Sequence, residues 1–405
     1  MKKSLVILFC LIALLALGAA VSAQEAPETY VLGVVQPFTG PLGSFGSDFA
    51  RGIELAVEQM NAQLEAAGVA VRFEIASADT GGTPDGASRG VQTVVQTTGA
   101  QVIVGPLTTS EVLGVKQFAD ENGIVIVAPA SSGQAGAIPG DNIYRVMYPP
   151  DVFAARAFAS IASGRGYQNV VILHMDDPFG NGMAERFTAE FQALGGGEVA
   201  TVRYAPDPAD LSAEATRVSA DLSRLSGSGS TAFFCVCFLA DAQKLLQTAV
   251  VDPVLSTTEW MGIENLANPE LLQDATYSEF LRAANFISVS FADTQTPLTQ
   301  PFIDAFTAKF GSAPGPFTNY AYDAANIAMI TMLAAGNNGN AVKAMLPFIS
   351  SHYIGTSVQA YLDENGDQAI AIYGIYKVAE SGTEFEIVGR YDGSSGELEL
   401  NETAG

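Results

Sequence analysis

Of the 405 residues, 43 are acidic and 19 basic, giving a formal net charge of −24 at neutral pH. Such a field repels phosphate backbones and anionic lipid, which argues against a nucleic-acid partner or docking on an acidic membrane. A chain of this length outgrows one compact core and is expected to divide into two lobes.

Lys2 and Lys3 precede an apolar run from Leu5 to Leu17, and Val21 and Ala23 put small residues at a cleavage site. This is the pattern of a secretory signal peptide over residues 1–23, cut before Gln24. The run falls short of the ~18 residues that span a bilayer. No small-residue box precedes Cys10, so no lipid anchor is expected there, and no later segment reads as a membrane helix. The mature chain is expected in the periplasm or otherwise secreted, without direct membrane insertion, as a monomer.

Strand and helix then alternate. Tyr30–Phe38 reads as a strand, and GSDFARGIELAVEQMNAQ sets Phe49, Ile53, Ala56, Val57 and Met60 on one helical stripe. VRFEIASAD, with Val71, Phe73 and Ile75 inward, is a second strand, and a helix runs through GVQTVVQTT. VIVG and IVIVAPA are short continuous apolar strands, as a parallel sheet covered on both faces requires. The rhythm restarts at NVVILHMDD (Asn169–Asp177). It continues through a helix near Met183–Leu194, the strand VATVRYA, a helix near Ser212–Leu225, the strand TAFFCVCF and a helix over Asp241–Ala249. ANFISVSF, three helical stretches between Thr299 and Phe348, and the strands AIAIYGIYKV and EFEIVGRY follow. Two βαβ series predict two doubly wound α/β lobes. Cys235 and Cys237 stand at i and i+2 on one face of an apolar strand, where direct pairing would strain the bond. They are expected to be two buried thiols acting as small hydrophobes.

In open α/β sheets, ligands bind beyond the carboxyl ends of the strands, where helix N-termini converge. After VIVG, Thr108 and Glu111 form a capping box with Thr108 as N-cap. Thr109 and Ser110 are not consumed by that job, and their N–H groups lie at the positive end of the helix dipole. With Ala130, Ser131 and Ser132 at the next strand end they make an uncharged cluster of donors. Two or three such hydrogen bonds hold a carboxylate without the fixed cation that phosphate or sulfate demands; the plainer alternative is helix capping alone. HMDDPFGNGMAERF carries half a dinucleotide fingerprint, but it follows Pro178 and lacks the third glycine, so no nucleotide cofactor is expected. His174 lies on the strand and reads as packed or hydrogen-bonded. Phe179 and Phe238 occupy similar strand ends, where local core packing rivals a ligand contact. Glu264, in TTEWMGIENLANPE after the single tryptophan Trp260, is a solvated loop residue, a helix cap or, if it faces an inter-lobe cleft, the partner of an ammonium group.

From about Tyr30 onward the chain resembles the periplasmic solute-binding proteins of branched-chain amino acid ABC transporters, of the leucine/isoleucine/valine-binding type. The resemblance rests on the order and spacing of GPLGSFGSDFARGIELAVEQMNA, VGPLTTSEV, VAPASS, DDPFGNGMAERF and NYAYDAANIA. It implies a type I periplasmic binding fold, with lobes 24–147 plus 289–366 and 148–288 plus 367–405 joined by a three-strand hinge. By position, the ligand carboxylate falls to Thr109, the Ala130 backbone and the Ser132 hydroxyl, the ammonium to Glu264, and a wall of the side-chain pocket to Phe45. Phe179 and Phe238 stand where the family often has tyrosines; hydroxyls that help hold an amine are missing, though ring faces still attract a cation. That widens the expected ligand from a branched-chain or other apolar amino acid toward a related amide or aromatic carboxylate. A cysteine pair of some members, in the loops around Gly82 and Thr108, is absent from both places.

The implied activity is that of the extracytoplasmic component of an importer, closing on a small ligand and delivering it to a membrane permease; a soluble sensor of the same fold is the alternative. Chemistry is not expected. His174 and His352 are the two histidines, and no G-x-S-x-G elbow, H-E-x-x-H pair or P-loop occurs. No metal or cofactor is expected.

Overall fold

The continuous apolar runs of the first third become the middle of a parallel sheet. In the computed structural model, which describes residues 26–291, 296–356 and 359–401, every residue of β3 (Val102–Val104) and β4 (Val125–Ala128) is buried. With β1 (Glu28–Gln36), β2 (Val71–Asp79) and β5 (Ile143–Arg145) they form a five-stranded all-parallel sheet in the order β2-β1-β3-β4-β5. The signal-peptide segment, residues 1–23, lies outside the described residues. Helix α1 (Gly43–Ala66) buries the predicted stripe of Phe49, Ile53, Ala56, Val57 and Met60. On the opposite face, α2 (Pro84–Thr98) and α3 (Thr109–Asn122) pack Val91, Val94, Val112 and Val115 against Val35, Ile103 and Ile126. Coverage on both faces explains why these strands are apolar throughout rather than alternating. Ile75 does not turn inward as expected; it is 37% exposed, because β2 is the sheet edge and lacks a neighbouring strand on one side.

The second βαβ series builds an eight-stranded sheet from β6 (Asn169–Met175), β7 (Val199–Tyr204), β8 (Thr231–Val236), β9 (Glu259–Ile263), β10 (Ile287–Phe291), β11 (Ile372–Val378), β12 (Phe385–Asp392) and β13 (Glu397–Leu400). Its order is β13-β12-β11-β10-β9-β8-β6-β7, parallel from β7 to β10 and antiparallel beyond. Helices α4 (Asp151–Gly164), α5 (Pro178–Ala193), α6 (Ser212–Ser226), α7 (Leu239–Ala249) and α8 (Ala275–Ala283) flank it. Sequence reading did not name β5, β13, α4 or α8. The two strands are very short, and α4 buries Ala154, Ala155, Ala157, Phe158, Ala159 and Ile161, so it lacks the polar face that makes a helix legible.

The chain crosses between the sheets three times, at 146–150, after β10, and between Leu362 and β11. Helices α9 (Thr299–Phe310), α10 (Thr318–Ala335) and α11 (Gly339–His352) return after the second crossing, and α10 packs on α1. The division at 288/289 falls within β10, and that at 366/367 falls where Asp367 bridges Arg145 beside β5. Arg145 and Asp367 are each 1% exposed. The guanidinium donates to both carboxylate oxygens, at 2.6 and 2.5 Å, and its Nη1 donates to the Gly133 carbonyl at 2.7 Å.

Cys235 and Cys237 are not two free thiols but a disulfide. Cys237 lies just past the end of β8, where the chain leaves extended geometry and the two Cα atoms approach to 5.5 Å. An extended i, i+2 pair would stand ~6.6 Å apart; the shorter separation sits near the middle of the range a disulfide spans.

Candidate functional site

The loops after β3 and β4 carry the predicted donors. Thr108 is spent on the capping box: its hydroxyl accepts from the Glu111 N–H at 3.3 Å, and the Glu111 carboxylate accepts from the Thr108 N–H at 2.8 Å. Glu111 is fully buried, also accepts from the Thr80 hydroxyl, and has its pKa lifted by burial. Thr109, 2% exposed, accepts from the Gly133 N–H at 2.9 Å and the Ser131 hydroxyl at 3.4 Å. A hydroxyl has one proton of its own to give, and in Thr109 these acceptor roles leave it available. Ser110 departs from the expected cluster. Its hydroxyl donates to Asp177 Oδ2 at 3.3 Å, from the first sheet's α3 to the N-cap of α5 on the second.

Phe45, Thr109, Ala130, Ser132, Phe179, Phe238 and Glu264 all line one cavity of about 610 Å³ between the sheets. Phe179, in the first turn of α5, and Phe238, the N-cap of α7, stack at 5.6 Å with their rings 16° apart. They pack on the core and also form a cavity wall, so the two readings of these rings do not compete. Trp260 is wholly buried in the core, where its Nε1–H donates to the Leu255 carbonyl at 3.0 Å. His174 is buried on β6 with Nδ1 3.0 Å from the Met175 carbonyl, and burial lowers its pKa.

Sequence reasoning missed Tyr148 and Phe317, which also line the cavity. Tyr148 belongs to the first crossing, just past the short strand β5 that the sequence did not reveal, and Phe317 to the loop before α10. An aromatic beside proline in YPPD and in GPFTNY was the available signal.

Glu264 opens a short 3₁₀ turn after β9. Burial pushes its pKa up to about 7, with its own backbone N–H and then Tyr148 opposing. Asp151, in the first turn of α4, is pushed up to about 8, first by burial and then by Glu264, with Ser132 and Arg145 opposing. Its Oδ2 has no hydrogen-bond partner. Both carboxyls are buried, and Glu264 adds to the rise of Asp151, so double ionisation of the two is disfavoured. Among the described residues, no lysine or arginine lines the cavity. Its chemistry is therefore neutral donors from one sheet, an acid from the other, and apolar walls between them.

Substituting Thr109→Ala or Ser132→Ala is expected to weaken every carboxylate ligand by about 1–3 kcal/mol, read by calorimetric titration. Unchanged affinity in both variants would mean that the carboxylate sits elsewhere.

A cleft between two doubly wound lobes, with donors on one side, an acid on the other and three chain crossings behind, defines a two-lobed solute clamp. Residues 29–347 match the family described as Periplasmic binding protein, and the chain belongs to that family. Among curated relatives, the Leu/Ile/Val-binding protein BraC3 of Rhizobium johnstonii is 25% identical, over 88% of this chain and 93% of the relative. Among solved structures, the leucine binding protein LivK of Thermotoga maritima superposes with a TM-score of 0.73 at 20% identity, covering 92% of this chain and 99% of that one. A solute binding protein of R. palustris in complex with benzoate gives 0.72 at 16% identity, covering 93% and 98%. The fold is thus the type I periplasmic binding fold. Among the described residues, no helix is long and apolar enough to cross a membrane.

Proposed function

We propose that this protein is the extracytoplasmic solute-binding component of an ABC importer, exported after cleavage near Ala23. As a monomer, it closes on one small carboxylate-bearing ligand and presents it to a membrane permease. The ligand favoured is an apolar α-amino acid. Thr109, the Ala130 backbone and Ser132 take its carboxylate, Glu264 its ammonium, and Phe45, Phe179 and Phe238 enclose its side chain. The observation that carries this reading is that Glu264 comes from the second sheet into the same cavity as the neutral donors of the first. Buried charge is tolerable there because each end of a zwitterion is paired. The name of BraC3 agrees with it. Ligand contacts made only in the closed form shift the hinge equilibrium toward closure, and the permease reads that closure.

The test is a thermal-shift screen against amino acids, amides and aromatic acids. A true ligand at about a hundred times its dissociation constant adds about 2.7 kcal/mol of stability. A panel in which no carboxylate-bearing compound raises the melting temperature overturns the reading. Two observations favour a second ligand class, the aromatic carboxylates: the Phe179–Phe238 stack brings no hydroxyl to an amine, and burial pushes the Glu264 pKa up to about 7.

A further inference from the structure

The ligand cavity does not end at its aromatic wall. Phe45, Glu264, Asn265 and Phe317 also line a second chamber, a cleft of about 1010 Å³ that opens outward. Its far walls are Phe291, Tyr320, Tyr376 and Phe385, from β10, α10, β11 and β12.

The partition between the chambers has a peculiar backbone. Phe317 sits at φ +62°, ψ 4°, in the left-handed region that a bulky L residue rarely adopts. Strain of that kind persists only where the surroundings over-determine it, and it gathers at ligand clamps and switch regions. Here the ring stands edge-on to Tyr148, centroids 5.7 Å apart, and lies 5.5 Å from Tyr320. Tyr148 lines the inner cavity and Tyr320 the outer chamber, so the strained residue places an aromatic ring on the boundary. The carboxyl groups that line the outer chamber are those of Glu264 and Glu384; among the described residues, no lysine or arginine lines it.

We propose that the outer chamber is a second ligand subsite. It takes the distal part of an elongated amphipathic carboxylate, apolar along its length and neutral or cationic at its far end, which passes Phe317 to reach it. This rests on the reading of the inner cavity as a carboxylate and amine clamp.

The experiment is calorimetric titration of the mature protein with norvaline, norleucine, 2-aminooctanoic acid, 2-aminodecanoic acid and 2-aminodecanedioic acid. Affinity is expected to rise along the monoacids by up to roughly fourfold per added methylene. The terminal carboxylate of the diacid is expected to lower affinity roughly tenfold against its monoacid, a penalty that Glu384→Gln reduces. Phe385→Ala is expected to weaken 2-aminodecanoic acid roughly tenfold and leave norvaline unchanged. Binding of norvaline with loss of affinity in the longer acids overturns the subsite and spares the clamp. Equal effects of Phe385→Ala on long and short ligands overturn it too, and a diacid that binds as well as its monoacid overturns the assigned charge preference. If no member binds, norvaline included, the clamp reading fails and the subsite falls with it. Should Phe385→Ala not fold, the series on the unaltered protein decides.

Discussion

Replacing Asp367 with Asn is expected to lower the free energy of unfolding by about 3–5 kcal/mol. The carboxylate and the Arg145 guanidinium are both almost wholly buried, and they meet through two hydrogen bonds. Removing one charge leaves the other desolvated and unpaired, which costs far more than the intact pair contributes. The loss also reaches the ligand site. Arg145 Nη1 holds the Gly133 carbonyl, and the Gly133 N–H orients Thr109. There is little slack along this chain of contacts: a Cβ at Gly133 would meet Thr109 Oγ1 at 2.6 Å, and one at Gly136 would meet Arg145 Nη1 at 3.0 Å. The double replacement Arg145→Met with Asp367→Leu removes both charges and is expected to recover most of the stability. Ligand affinity in the double variant stays reduced, because Gly133 has lost its donor. Urea unfolding and calorimetric titration of the three proteins check both halves. An Asn variant as stable as the parent would show that the pair is not desolvated.

How far the sequence carried the fold follows from the physics of each element. β3 and β4 were legible because strands covered on both faces must be apolar at every position, and α1 because one side of a helix meets the sheet. The donor loops were legible because the capping box located the start of α3 and left Thr109 over. Glu264 could not be resolved from spacing: a residue just after a strand faces solvent or a cleft depending on a second sheet that local sequence does not describe. Ser110 was misread for a related reason, since its partner Asp177 lies 67 residues away across the cleft. The cysteines were misread because the end of β8 at Val236, which shortens the Cα separation, has no punctuating residue. Tyr148 and Phe317 were passed over because they stand on a crossing segment and a strained loop, where no period applies and only the adjacent prolines mark them.

The affinity of an amine-bearing ligand is expected to rise with pH by up to about tenfold per unit below neutrality and to level off above about 7. Burial holds Glu264 near that value, so in mildly acidic solution it carries a proton that must leave before an ammonium can dock. An aromatic acid without an amine is expected to show the reverse trend. It needs Glu264 neutral, and its affinity falls once the carboxylate ionises with nothing to pair it. The same groups set the stability of the empty protein. The folded-state pKa of Glu264 and that of Asp151 lie above their unfolded values. Their stabilising contribution is therefore complete in acid below about 4 and is lost as pH rises through about 7 and 8, roughly 3 kcal/mol for Glu264 alone. Asp151, with its pKa near 8, still holds its proton where Glu264 ionises, so Asp151→Asn is expected to leave the ligand's pH midpoint near 7. Glu264→Gln is expected to weaken leucine by about 2–5 kcal/mol above neutral pH and to flatten its pH profile. The same change leaves benzoate unweakened. Titrations of leucine and benzoate across neutrality, on parent and variant, separate the two ligand classes; a leucine affinity untouched by both pH and Glu264→Gln would remove Glu264 as the partner of the amine.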